Sequence, residues 1–254
     1  MAVSDTTWPT RLSSAAVDMA TTRRVLAIVA LPLAGSCVAQ GQETSNGFTC
    51  EEGFVNVATL SARGWILQNN SEALGSCRWG QGDPDLFAAW SGVADSYAMV
   101  GADSASGAFP VVSNWLITPE IDFGPNEFNA HGFGFHTRAA PGYANRVVVR
   151  LCVGQTVSDC TAPGPASGDL GGFQTTLLDI NPSLTPDGYP IDWTAYWLAP
   201  GDGLPVVGHG RIAFHYYVFS QPDGSHGSAI GIDSVSMAGS TGCPFDVVFE
   251  SEFE

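Results

Sequence analysis

The chain has 254 residues, 44% of them hydrophobic, which suffices for one large β domain or two small ones and excludes wholesale disorder. Its formal charge of −16 sets 25 acidic residues against nine basic ones, all arginine, so nucleic acid and other polyanions are poor partners for the chain as a whole. The lack of lysine excludes a P-loop and Schiff-base chemistry.

In chain order, the first feature is a signal peptide over residues 1–39, with Met19 as an alternative start. Arg23-Arg24 is a short basic stretch, and Val25 to Leu33 is an apolar run too short to span a bilayer. Two processing readings stand. Cleavage after Cys37-Val38-Ala39 leaves Gln40 first; alternatively, Leu33-Ala34-Gly35-Ser36-Cys37 loosely fits a bacterial lipobox and makes Cys37 a lipid anchor. Both export the protein, to the extracellular space or the outer-membrane surface, with residues 40–49 as a short linker. No transmembrane helix is expected in the mature chain.

From residue 50 onward the hydrophobic pattern alternates with period 2 and shows no amphipathic helix. It predicts strands over 53–59, 64–69, 96–101, 112–118, 131–138, 145–153, 173–180, 192–198, 211–219 and 229–237. Turn chemistry separates them, as in Gly80-Gln81-Gly82-Asp83-Pro84 and Pro200-Gly201-Asp202-Gly203. About ten short strands with no internal repeat predict an all-β fold, a two-sheet antiparallel β-sandwich or jelly roll, over residues 50–240.

Three strands can be read face by face. Phe133 and Phe135 point one way, and His136 and Arg138 the other. Val147, Val149 and Leu151 face the core, leaving Arg146 and Arg150 outside. Ile212, Phe214 and Tyr216 point in, with Arg211 and His215 outside. His136, Arg138, Arg146, Arg150, Arg211 and His215 are therefore candidates for a basic ligand-binding surface. Arginine forks would bind carboxylate or phosphate there, or pair across strands with the chain's own acids. Trp193, Ala195 and Trp197 share one face of another strand, where core packing is the expectation.

Export makes the cysteines candidates for disulfides. Cys152 and Cys160 flank a turn-rich stretch and are expected to pair locally. Cys50 precedes the first strand and Cys243 follows the last, so these two meet if those strands pair antiparallel, and Cys77 is then left free. No metalloprotease helix, nucleophile elbow or Ser/His/Asp set can be placed, so no catalytic residues are expected.

Several motifs in order resemble the choice-of-anchor J domain, a relative of the cleaved-adhesin and MAM-type jelly rolls. They are Glu52-Gly53-Phe54, Gly64-Trp65, Trp79-Gly80-Gln81-Gly82, Asn114-Trp115-Leu116-Ile117-Thr118-Pro119, Arg211-Ile212-Ala213-Phe214 and Gly231-Ile232-Asp233. The resemblance covers roughly residues 50–238 and implies an exported bacterial jelly roll, adhesive or sugar-binding, without established enzymatic activity. It also implies a structural calcium ion tying the first strand to the last through Glu52 and Asp233. The tail, residues 241–254, resembles acidic-aromatic C-termini of exported Gram-negative proteins.

The expectation is thus a non-catalytic binding or adhesion module recognising a glycan or cell-surface component. The alternatives are a structural or assembly subunit of an extracellular complex and a divergent polysaccharide hydrolase.

Overall fold

The computed structural model describes residues 49–108, 110–124, 132–154, 156, 159–219, 227–239 and 244–245. The expected signal peptide, Cys37, Cys243 and most of the tail lie outside these residues. Twelve strands are described: β1 (Thr49–Glu52), β2 (Ile66–Asn69), β3 (Gly80–Gln81), β4 (Ala98–Gly101), β5 (Val111–Ile117) and β6 (Ile121–Asp122), then β7 (Gly132–Ala139), β8 (Val147–Gly154), β9 (Thr175–Ile180), β10 (Thr194–Leu198), β11 (His209–Phe219) and β12 (Ala229–Ala238).

They form two six-stranded antiparallel sheets. The first runs β10-β7-β12-β4-β3, with β1 also paired to β12; the second runs β2-β5-β11-β8-β9, with β6 also paired to β11. Neighbours in sequence seldom pair, which is the crossover pattern of a jelly roll rather than of a meander. The two-sheet sandwich expected from the spacing of turns is the fold observed.

The core lies between the sheets. Phe133, Phe135, Ile230 and Ile232 from the first sheet pack against Leu116, Val147, Val149, Ile212 and Phe214 from the second. Phe214 is the hub, with ring centroids 5.9 Å from Phe133 and 4.9 Å from Phe135. Fully burying one such ring contributes about 1.5–3 kcal/mol, which makes this layer the main stabilising term.

One expected strand is absent. Residues 53–59 do not continue β1; Phe54 takes φ 50°, and Val57–Arg63 forms a 3-10 turn. Asn56 ends the extended backbone by accepting a hydrogen bond from the Ala58 amide, and Gly64 closes the turn at φ 87°. Phe54, Val57 and Leu60 recur every third residue, the period of a 3-10 turn and not of a strand, and all three are buried on one side of it. The strand that pairs with β12 lies earlier, at Thr49–Glu52.

The second sheet carries a further layer outside it. Cys152 and Cys160 are disulfide-bonded with their Cα atoms 5.6 Å apart. The segment from Cys160 to Phe173 folds over this sheet, where Cys160, Leu170 and Phe173 cluster with Trp115, Ile117 and Ala213. Polar ties hold it down: Gln68 Nε2 donates to the Pro163 carbonyl at 2.8 Å, Asn70 Nδ2 donates to that of Gly164 at 2.6 Å, and Ser113 Oγ donates to that of Ser167 at 2.9 Å. Trp115 is completely buried, but in this outer cluster and not between the sheets. Cys50 is also disulfide-bonded, and the expected pairing with Cys243 lies outside the described residues. Cys77 is free, and its thiol donates to Asp103 Oδ2 at 3.1 Å.

Candidate functional site

The six candidate binding residues fall on two different surfaces. His136 and Arg138 lie on the outer face of the first sheet, on β7. Arg146, Arg150, Arg211 and His215 lie on or beside β8 and β11 in the second. The sandwich core separates the two groups, so one basic surface does not form.

The residues on the second sheet are already engaged. Arg146 makes a two-pronged pair with Asp179, Nε to Oδ1 at 2.9 Å and Nη2 to Oδ2 at 2.7 Å. Arg211 donates to the carbonyls of Gly64 and Thr118 at 3.0 and 2.6 Å. His215 is buried and stacks on Trp115 with centroids 3.7 Å apart.

The closest approach to a catalytic pair sits at the same place. His215 Nε2 is 2.9 Å from Ser113 Oγ, and Arg150 Nε lies 3.4 Å from His215 Nδ1. A guanidinium can only donate, so Nδ1 must accept and Nε2 must carry the proton. Ser113 then accepts from His215 and donates to Ser167, the reverse of the proton flow in a serine nucleophile. Burial, with the charges of Arg150 and Arg146, holds the imidazole well below its usual pKa and keeps it neutral. This is a structural network under a closed layer.

Glu52 and Asp233, the expected calcium ligands, leave their strands on opposite faces. Glu52 stands opposite Val235, a core residue, and turns inward to accept from the Phe54 amide and to pair with Arg63. Asp233 stands opposite His136 on the outer face. The flip comes from an irregularity between Asp233 and Ser236, where Ser234 takes φ 49°. Two carboxylates on opposite faces do not fit one bridging ion, and no cluster of three or more metal-ligating side chains occurs among the described residues.

Asp233 serves a different purpose. Its Oδ2 accepts from the amides of Trp90 and Ser91 at 2.8 and 3.1 Å, and its Oδ1 from its own neighbour Ser234 at 2.6 Å. Burial outweighs these donors and raises its pKa to about 6. The carboxylate thereby pins the loop before β4 onto the sheet. That loop places Trp90 over His136, with centroids 4.5 Å apart and planes 15° from parallel, and leaves Trp90 53% exposed.

Trp197 on β10 completes the site. It points outward, not into the core as its size suggested, and is 56% exposed. Its indole lies across β7 above Gly132 and Gly134, where any Cβ would overlap the ring. Backbone register runs from Trp197 to Gly134, from Gly134 to Ser236 and from Ser236 to Glu51, so one row crosses four strands of the outer face. The adjacent row holds Ala195, His136 and Asp233. A third glycine, Gly231, makes room for Phe87, Tyr97 and Trp193, with Arg138 over the Phe87 ring at 4.6 Å.

The open face is therefore a sheet floored by glycine, bearing two exposed indoles with carboxylates beside them. Of its residues the sequence reading singled out His136, Arg138, Asp233, Trp193 and Trp197, and missed Glu51 and Trp90. Glycines alternating with phenylalanine at 132–135 were the available sign that a large ring lies flat across that strand.

No protein-family model matches the chain, and comparison with curated proteins finds no match by sequence. Among solved structures, the chain is similar to the K3 cleaved adhesin domain of Lys-gingipain from Porphyromonas gingivalis w83, with 17% identity and a TM-score of 0.45 over 74% of this chain and 97% of that one. The K2 cleaved adhesin domain of Lys-gingipain gives 15% identity and a TM-score of 0.46 over 76% and 98%. A family 11 carbohydrate-binding module from Clostridium thermocellum, solved with a β-1,3-1,4-mixed-linked tetrasaccharide, gives 10% and 0.40 over 75% and 95%.

Proposed function

We propose that this chain is an exported, non-catalytic glycan-binding module that takes its ligand on the outer face of the first sheet. One observation carries the reading: Trp197 lies flat on Gly132 and Gly134 with more than half of its surface open. An indole wedged upright between neighbours would be packing; an indole laid along a strand offers its whole face. The apolar face of a sugar ring fits such a platform, and the polar rim of Ser236, Glu51 and His136 offers hydrogen-bond partners to its hydroxyls. Gly132 and Gly134 keep the platform low and rigid, so little conformational freedom is lost on binding.

On the second sheet, among the described residues, the Cys160–Phe173 segment covers the outer face at Trp115, Ile117 and Ala213. Trp197→Ala tests the reading on an array of surface polysaccharides. The expected result is loss of glycan binding, at least tenfold, or about 1.4 kcal/mol. The melting temperature should stay within a few degrees, since the ring is outside the core. Glycan binding that survives the substitution would overturn the assignment of the site.

A further inference from the structure

The charge beside the platform points to a narrower ligand class. Glu51 lies on the same outer face as His136 and Asp233 and acts on both electrostatically. Among the described residues Glu51 has no hydrogen-bond or ion-pair partner. Neighbouring strands are about 4.8 Å apart, so Glu51 on β1 stands roughly 14 Å, three strand spacings, from β10, which carries Trp197, and roughly 10 Å from β7, over which the indole lies. A ligand unit stacked on Trp197 would thus direct the next units of its chain toward a free carboxylate and past the open side of Trp90.

Among the described residues, no cation pairs with this acid. Arg138, the guanidinium on β7, is turned to Phe87 and donates to the Ile191 carbonyl at 2.7 Å. Arg63, which lines the groove beside Glu51, is paired with Glu52. His136 is held below its ordinary pKa by burial and is neutral near pH 7. Exposed indole faces and unpaired carboxylate together suit a cation: the ring quadrupole and the acid attract the same charge. The net charge of −16 adds to this and opposes any acidic chain.

We propose that the site selects glycans carrying a free, protonated amine, of the glucosamine class, over their N-acetylated and their uronic-acid counterparts. This rests on the glycan reading above. It differs from an arginine-based site, which would select acidic polysaccharide.

The experiment compares glucosamine oligomers, N-acetylglucosamine oligomers of equal length and oligogalacturonate by calorimetry, under conditions that protonate the free amine. The free-amine oligomer should bind about tenfold tighter than the acetylated one, and the uronate should bind weakest. Glu51→Gln should bring the free-amine oligomer down to the affinity of the acetylated one. Arg150→Ala, on the opposite sheet, should change neither. In the wild-type protein, added salt should narrow the preference. Equal binding of amine and acetyl forms, or a preference that survives Glu51→Gln, would overturn the amine selectivity while leaving a neutral-glycan site standing. Failure of every oligosaccharide and polysaccharide to bind would overturn both.

Discussion

Asp233 concentrates several constraints in one side chain. It is fully buried, it faces His136 and Glu51, and it accepts three backbone amides that hold both the bulge at Ser234 and the loop bearing Trp90. Its pKa is raised from 3.8 to about 6 because desolvation outweighs those donors, with Glu51 adding to the rise. A carboxyl whose folded pKa lies above its unfolded value binds more protons in the folded chain between the two values. Its favourable contribution is complete below pH 4 and is lost as the pH rises through about 6. A shift of this size corresponds to roughly 3 kcal/mol across that window. Asp233→Asn does not titrate, so the stability difference between wild type and variant should move in favour of the variant from pH 4 to pH 7. Urea denaturation of both proteins at several pH values measures it; a difference that does not change with pH would refute the account.

At the scale of elements, the outer layer on the second sheet depends on a short covalent staple. The Cys152–Cys160 bond closes a loop of sequence separation 8, which the chain-entropy model values at about 2–3 kcal/mol. Cys160→Ser should lower stability by that amount. It should also loosen the Cys160–Phe173 segment, seen as faster amide exchange there and at Trp115 while the inter-sheet core stays protected. The sheets themselves were legible in the sequence, because a half-buried strand must alternate and Phe133, Val147, Val149, Ile212 and Phe214 do. The outer layer was not. Trp115, Ser113 and His215 alternate as outward residues should, and alternation alone cannot show that a loop distant in sequence covers them. The same limit hid the site. Trp197 reads as core by its size, and only the pairing of β10 with the glycines of β7 shows that it lies on an open face. The flip at Ser234, which separates Glu52 from Asp233, depends on one left-handed residue that carries no glycine or asparagine signal.

At the largest scale, the described residues form two sheets with unequal outer faces. One is layered over by a stapled segment and laced by arginine pairs; the other is open, aromatic and acidic. This asymmetry assigns different work to the two sets of basic residues. Arg146 bonds to Asp179 across the junction of β8 and β9, and Arg150 spans His215 and Thr176, so both hold the covered sheet together. A partly buried two-pronged pair contributes about 1 kcal/mol and stands on the far side of the core from Trp197. The double substitution Arg146→Ala and Arg150→Ala should therefore lower stability by about 1–3 kcal/mol, the larger part from the unpaired Asp179 and the emptied contact on His215. Glycan affinity measured on the folded variant should equal that of wild type. Loss of binding with the fold intact would move the site back to the arginine-bearing sheet; loss of stability with binding intact places function on the open face alone.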